Sequence, residues 1–506
     1  MAAMARRYLD FWLEFAVPRA KLAVFRVCFF TLIGIDGLLQ LPHAPRYGAG
    51  GFNVGHVDWL QGFLPGPERS LLVVVFLLQA YLGFRIALGR ISVASVRLLT
   101  ALYGYGYFVS QLDSYQHHYL IFLLLLACSF VPWTPAAGDR SGPSERPVRS
   151  LALRLVIVQV AIVYFWAALT KCEGVWLDGT VLQAQLRAGM THDVASWLGM
   201  DRTAQLITAT EFFLALSLLY RRLWPLALVV GVGLHAGIEF AAEFQIDNFS
   251  YYMFAFYLLL LPDAWFIWCQ RRFGPLTRRI VGVAERLPRT GGVFWAIAAA
   301  GLLLGWLVLR RVPLAEMSWV AGIASATALT ALLWQLRAAD GQVDREADGP
   351  RRPSGLAGIW RHVIATALVA SAPFAGEAVG DYYKYWGGSA RRLGEMKQAE
   401  TAYRHLVGIR PGWAPAHYHL GRIAQQDQRI DEALAHYRRA QTANSSDYRA
   451  FLNEALIHHQ ASRGPETLVS ARQALAAMDA GRAGSRRQRD RQRLQQLIAH
   501  WSQSGQ

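Results

Sequence analysis

Up to about residue 378 the chain is a succession of apolar blocks, each roughly 17–25 residues long, the length a helix needs to cross a bilayer core. Short loops carrying charge, Gly and Pro separate them. The pattern predicts spans near residues 21–41, 70–88, 92–111, 118–133, 150–169, 205–221, 223–242, 248–268, 292–310, 316–336 and 359–378. The segments at 118–133 and 205–221 are short, which suits tilted or re-entrant helices. The first block is too long for a cleavable signal and reads as a retained anchor. Residues 337–357, rich in Asp, Arg, Gly and Pro, read as a cytoplasmic linker.

Beyond residue 390 the period changes. Ala399 and Tyr403 recur 34 residues on as Ala433 and Tyr437; Ala416 recurs as Ala450, and Tyr418 is answered by Leu452. Small residues let paired helices approach, and large ones fill the gap between them. The pattern Ala416-x-Tyr418-x-Leu420-Gly421 followed by Ala433-x-x-x-Tyr437-x-x-Ala440 resembles the tetratricopeptide (TPR) consensus, with a degenerate further unit near 464–480. The fold class expected is all-α: a polytopic transmembrane helix bundle followed by a soluble, TPR-like helical-repeat domain.

Charge sets the orientation. Of the net +16, +8 lies in residues 381–506, where 19 Lys and Arg face 11 Asp and Glu; the rest sits mostly in loops. The loops holding Arg6, Arg7, Arg19 and Lys21, then Arg85, Arg90, Arg140, Arg146, Arg221 and Arg222, alternate with loops poor in basic residues. This predicts a cytoplasmic N-terminus and, with eleven spans, a repeat domain on the outer side. Such charge orients a membrane protein and need not imply nucleic acid. The cysteines Cys28, Cys128, Cys172 and Cys269 lie in or beside apolar spans without a CxxC, which supports neither a disulfide framework nor a zinc site.

Lysine is rare here: Lys21, Lys171, Lys384 and Lys397 stand against 47 arginines. A desolvated lysine can shed its proton whereas arginine effectively cannot. Lys171, closing the apolar run Val156–Thr170, is therefore a candidate general base, the alternative being a snorkelling anchor. Gln116-His117-His118-Tyr119-Leu120 opens the fourth span with two imidazoles and a phenol that could orient a substrate oxygen or form an interfacial belt. Arg26 and Asp36 are intramembrane charges ten residues apart, about 15 Å along a helix, so each needs a partner from another helix; structural pairing is the expected role. His235, Glu239 and Glu243 share one helical face, but no second ligating helix is evident, so no metal is expected. Glu211 is a further intramembrane acid with no assignable role.

The run Ile162-Val163-Tyr164-Phe165-Trp166-Ala167-Ala168-Leu169-Thr170-Lys171, followed by Trp176-Leu177-Asp178-Gly179, resembles the vitamin K-dependent γ-carboxylase family and its bacterial relatives, which share a horizontally transferred transmembrane (HTTM) domain. Gln116-His117-His118-Tyr119-Leu120 resembles the family's Asn-His-Tyr-Tyr-Leu, with Gln116 and His118 as departures. Ala23-Val24-Phe25-Arg26 with Asp36 matches its first helix, and Phe249 to Pro262 its closing helix. The resemblance covers about residues 14–275 and implies a carboxylase-like domain over residues 1–275; hydropathy and period add further spans and a linker over 276–380 and repeats over 381–506. The resemblance implies a bacterial membrane protein, taken as an inner-membrane one with the repeats periplasmic from the charge pattern, and carboxy-lyase chemistry with a reduced, vitamin K-like quinone, O2 and CO2. Lys171 would be the base and His117 the stabilising imidazole, with Gln116, His118, Tyr119 and Trp176 binding substrate. The partners expected are membrane lipid and a protein or peptide at the repeats. The rival reading is a non-enzymatic membrane scaffold recruiting a protein through those repeats; transport is weaker, because no inverted repeat is seen.

Overall fold

A computed structural model describes residues 10–49, 55–87, 91–112, 116–133, 147–186, 189–241, 249–266, 379–479 and 485–503, together with residues 268 and 272. The expected linker and the spans at 292–310, 316–336 and 359–378 lie outside these residues. The described chain is all-α apart from two-residue strands, and it divides into two compact units. Of the described residues, one holds those within 10–40, 55–64 and 74–272; the other gathers 41–49 and 65–73 with those within 379–503.

The first unit is built on helices α1 (Arg19–Gln40), α2 (Arg69–Ala87), α3 (Val93–Phe108), α4 (Gln116–Cys128), α5 (Leu151–Thr170), α6 (Met200–Ser217), α7 (Trp224–Ala241) and α8 (Phe249–Tyr257). Among the described residues, Arg19–Tyr47, Arg69–Ala87 and Leu151–Thr170 are long and apolar enough to cross a membrane; His117–Cys128 and Phe249–Leu260 are apolar but shorter. Strand β1 (Ala16–Val17) pairs antiparallel with β2 (Val148–Arg149), fastening the start of α1 beside the start of α5.

The core of this unit is aromatic and aliphatic. Phe29 stacks on Phe25 at 5.3 Å and meets Tyr252 edge-on at 5.8 Å, while Phe30 packs on Trp133 at 5.7 Å. Where α1 crosses α2 the backbones touch: a Cβ on Gly37 would strike the Phe76 carbonyl, and one on Gly83 would strike the backbone of Gly34. Small residues at such crossings are how apolar helices associate without a hydrophobic drive between them. Val74, Leu77, Leu78 and Tyr81 of α2 and Leu226 and Val229 of α7 face outward, an apolar exterior that fits lipid.

The second unit is a stack of helical hairpins: α9 (Met396–Ile409), α10 (Ala414–Gln426), α11 (Ile430–Ala443), α12 (Tyr448–Gln460), α13 (Gly464–Asp479) and α14 (Ser485–Gln503). Met396, Ile430 and Gly464 open successive units 34 residues apart. The turns before them repeat atom for atom. Gly394, Gln428 and Ser462 all take positive φ, at +80°, 59° and 54°. The N–H groups of Glu395, Arg429 and Arg463 donate to the carbonyls of Ala390, Ala424 and His458. Ala399, Ala416, Ala433 and Ala450 are buried at the helix contacts, as the sequence period predicts. Within this unit His43 and Arg69, the first residue of α2, lie on the helix over 379–392: His43 stacks on Tyr385 at 4.4 Å, and the Arg69 guanidinium sits 3.8 Å over Trp386.

Candidate functional site

Lys171 closes α5 as its C-cap, and its side chain turns to α6. Nζ donates to both carboxylate oxygens of Glu211, at 2.6 and 2.8 Å. Glu211 is 8% exposed and Lys171 23%, so the acid is inside the bundle while the amine stands at its rim. A carboxylate in an apolar helix must find a partner, because an isolated buried charge is costly. The partner is 40 residues away in sequence and is brought close by the packing of α5 on α6.

The Trp-x-Asp-Gly segment completes this corner. The Trp176 ring lies 5.2 Å from Lys171 Nζ, within cation–π range. Its indole N–H donates to Thr208 Oγ1 at 3.1 Å, one turn before Glu211, so the same helix face holds both ring and amine. Asp178 Oδ1 accepts from the Thr180 N–H at 2.9 Å, at the start of the short helix Thr180–Gln185. Gly179, at φ +82°, packs so closely on the start of α6 that a Cβ would strike the Met200 backbone. Each motif residue thus has a local task.

A second polar group lies two turns back along α5. Tyr164 Oη is 2.7 Å from His235 Nε2 on α7 and makes a short hydrogen bond to Tyr257 Oη on α8. Gly231 makes room for it: a Cβ there would overlap the Tyr257 ring. The Glu211 charge reaches Tyr164. His235 is buried, its Nδ1 without a hydrogen bond, and Phe249 stands edge-on to it at 5.3 Å. Phe249 in turn lies 5.9 Å from the buried His117, whose ring abuts His118 at 4.3 Å.

The sequence-derived site residues therefore fall into two places. Lys171 and Trp176 meet directly, with Glu211 and Thr208. His117 and His118 join the Phe249–His235–Tyr164 column. Tyr119 is exposed and packs on Tyr107 at 5.8 Å instead. Gln116 opens α4. Asp36 is buried, hydrogen-bonded to Tyr103 and close to Tyr252, while Arg26, half-buried, lies ten residues earlier on α1. The other face considered for metal is divided: His235 engages Tyr164, Glu239 accepts from Tyr251 at 3.1 Å, and Glu243 lies outside the described residues. Among the described residues no cluster of three His, Cys, Asp or Glu forms.

Glu211, Tyr164 and Tyr257 were not singled out by sequence reasoning as site residues. Their signal was that a carboxyl or a phenol inside an apolar helix requires a partner. Lys21, counted among loop charges, is 1% exposed: Nζ bonds the carbonyls of Leu259 and Leu261, at 3.2 and 2.5 Å, and pairs with Asp263 at 2.5 Å. It clamps the start of α1 to the end of α8.

An all-α bundle with an apolar exterior and buried acid–base pairs defines a polytopic membrane domain. The model of the HTTM domain matches residues 16–265, about half of the chain, a match consistent with the carboxylase-like resemblance of its motifs. Comparison with curated proteins finds no match.

Proposed function

We propose that the HTTM domain carries out carboxylase-like chemistry on a reduced quinone, with Lys171 as the base. The observation that supports this most is the Lys171–Glu211 pair beside Trp176: an amine at the rim of an apolar bundle, held by a buried carboxylate and faced by an indole ring. The donor set suits a flat aromatic co-substrate bearing ring oxygens, since aromatic faces and buried imidazoles line the column from His117 to Tyr164. A reduced quinone reacting with O2 would supply the oxidising chemistry that this chain's side chains lack, with CO2 as the further co-substrate.

The chain's own part is proton handling and exclusion of water. Lys171 Nζ takes a hydroxyl proton, and Glu211 Oε1, 2.6 Å away, is the acceptor for the proton the amine already carries. The exchange leaves the net charge of the apolar site unchanged, which a low-dielectric setting favours. Trp176 covers the amine, and His117 and His118 offer imidazoles at the far end of the column. The test is to supply reduced quinone and oxygen to the purified protein. Epoxide formation that vanishes in Lys171→Ala is expected; no epoxide, or epoxide unaffected by the substitution, ends this reading.

A second reading rests on the 34-residue hairpins. TPR-type units present grooves for peptides, and the repeats would recruit a protein partner whether or not the bundle is catalytic. The same proposal puts the N-terminus in the cytoplasm of a bacterial inner membrane and the repeats in the periplasm. Support comes from the basic residues Arg19, Lys21, Arg221 and Arg222 beside one set of helix ends, and from residues 41–49 sharing a compact unit with the repeats. A periplasm-dependent reporter fused after residue 503 should be active; a silent one reverses the assignment.

A further inference from the structure

We propose that His235 is a ligand-binding residue, whose Nδ1 hydrogen-bonds the oxygen of a flat, lipid-soluble aromatic co-substrate within the bundle. The inference rests on the quinone reading above and adds to it a binding contact that the carboxylase-like motifs do not contain. His235 is 1% exposed, and its two nitrogens are in different situations. Nε2 is bonded to Tyr164 Oη at 2.7 Å, which Tyr257 also reaches. Nδ1 is buried and makes no hydrogen bond. A buried polar atom left in this state costs about 1–3 kcal/mol, so native structures rarely keep one without a use.

The tautomers sharpen the point. If Tyr164 donates to Nε2, Nδ1 carries the proton and is a donor with nowhere to point. If Nε2 carries it, Nδ1 is a bare acceptor. Both forms leave one hydrogen-bonding position open, so either a carbonyl or a hydroxyl oxygen can be met by choice of tautomer. That tolerance is what a ring interconverting between hydroquinone and quinone requires. The surroundings are aromatic: Phe249 at 5.3 Å and Phe254 at 6.3 Å, both edge-on. Helix α7 is thinned by Gly231, one turn before His235, so that Tyr257 can reach Tyr164 and hold the imidazole in place. The imidazole is thus fixed on one side and open to bonding on the other.

The two nitrogens can be separated by substitution, because a glutamine amide reproduces Nε2 and an asparagine amide reproduces Nδ1. The experiment is equilibrium binding of a soluble 1,4-naphthoquinone to the full chain in nanodiscs, corrected with empty discs, together with thermal melting. His235→Gln should melt like the parent yet bind about three- to tenfold more weakly, the worth of one hydrogen bond. His235→Asn should melt lower and keep most of its affinity. Parent-like binding by His235→Gln overturns the inference and leaves the Lys171 reading standing. Equal weakening in both variants with equal loss of melting temperature assigns His235 to helix packing and also overturns it. No binding by the parent protein removes the quinone reading itself, and His235 with it.

Discussion

The two lysines of the membrane domain, Lys21 and Lys171, differ in burial although both stand at the end of an apolar helix, Lys21 opening one and Lys171 closing another, and both face an acid. Lys21 is enclosed: two carbonyls and Asp263 take up its donors, and Phe266 lies 5.7 Å from it. Lys171 has one acid, one ring and an open side. An ammonium ion has three protons to donate. Where the fold satisfies all of them, the residue is part of the frame. Where the fold supplies one carboxylate and leaves access, the amine remains available for chemistry. The contrast separates a structural cation from a candidate base without any appeal to sequence motif.

The comparison can be broken most directly by exchanging the two losses. Lys171→Ala is expected to lower quinone-dependent product formation by about 10²–10⁴-fold, the usual worth of a general base, while the protein still purifies as a folded species. Lys21→Met should do the reverse: rates per folded molecule near the parent value, but stability lower by about 1–3 kcal/mol, because the Leu259 and Leu261 carbonyls lose their donor while Asp263 keeps Arg221 at 2.8 Å. Melting curves and initial rates on both variants decide it; a Lys21 variant as inactive as the Lys171 variant would erase the distinction.

The repeat unit offers a third kind of buried basic site, a histidine pair that stays neutral. His417 and His436 are buried with their Nδ1 atoms 3.1 Å apart, and His417 Nε2 donates to the Pro411 carbonyl at 2.9 Å. Burial lowers the pKa of His417 and brings that of His436 down to about 4, with His417 and nearby arginines adding to the effect on His436. Unfolded imidazoles protonate near pH 6.5, the folded ones only at lower pH. Stability is therefore fully present above about pH 7 and is lost as pH falls from about 6.5 towards 4, by roughly 3 kcal/mol for His436 alone. Hydrogen exchange of helices α10 and α11 across this range should show the loss, and a flat profile contradicts it.

The smallest effect tests the repeat geometry. Gln428 and Ser462 hold the positive φ that Gly394 supplies in the first turn. Gln428→Gly should raise stability by about 0.5–1 kcal/mol, seen as a melting shift of a few degrees, since side chains are disfavoured in that region. Gly394→Ala should lower it by a similar amount.

Much of this was legible in the amino-acid order. Apolar blocks announced the helices because a bilayer core has one thickness, and the Ala and Tyr positions of the hairpins announced their period because the same contact recurs. Lys171 and Trp176 were readable as neighbours because five residues separate them. Glu211 was not readable as their partner, since only the packing of α5 on α6 reveals it. His235 was read with Glu239 and Glu243 on its own helix, whereas its working neighbours, Tyr164 and Tyr257, come from two other helices. Lys21 looked like an ordinary loop charge for the same reason: its ligands are carbonyls more than two hundred residues away. Periodicity reports what each helix does for itself, and side-chain pairing across helices has no local signature.

The recurring turn at Gly394, Gln428 and Ser462 has a consequence for how such a chain can vary. Because each hairpin meets the next through the same backbone bond, with small residues Ala399, Ala433 and Thr467 buried at matching positions, one module can be inserted or removed without inventing a new contact. The tail is thus a ruler with fixed graduations: its reach changes in whole steps, while the membrane machinery to which it is joined need not change at all.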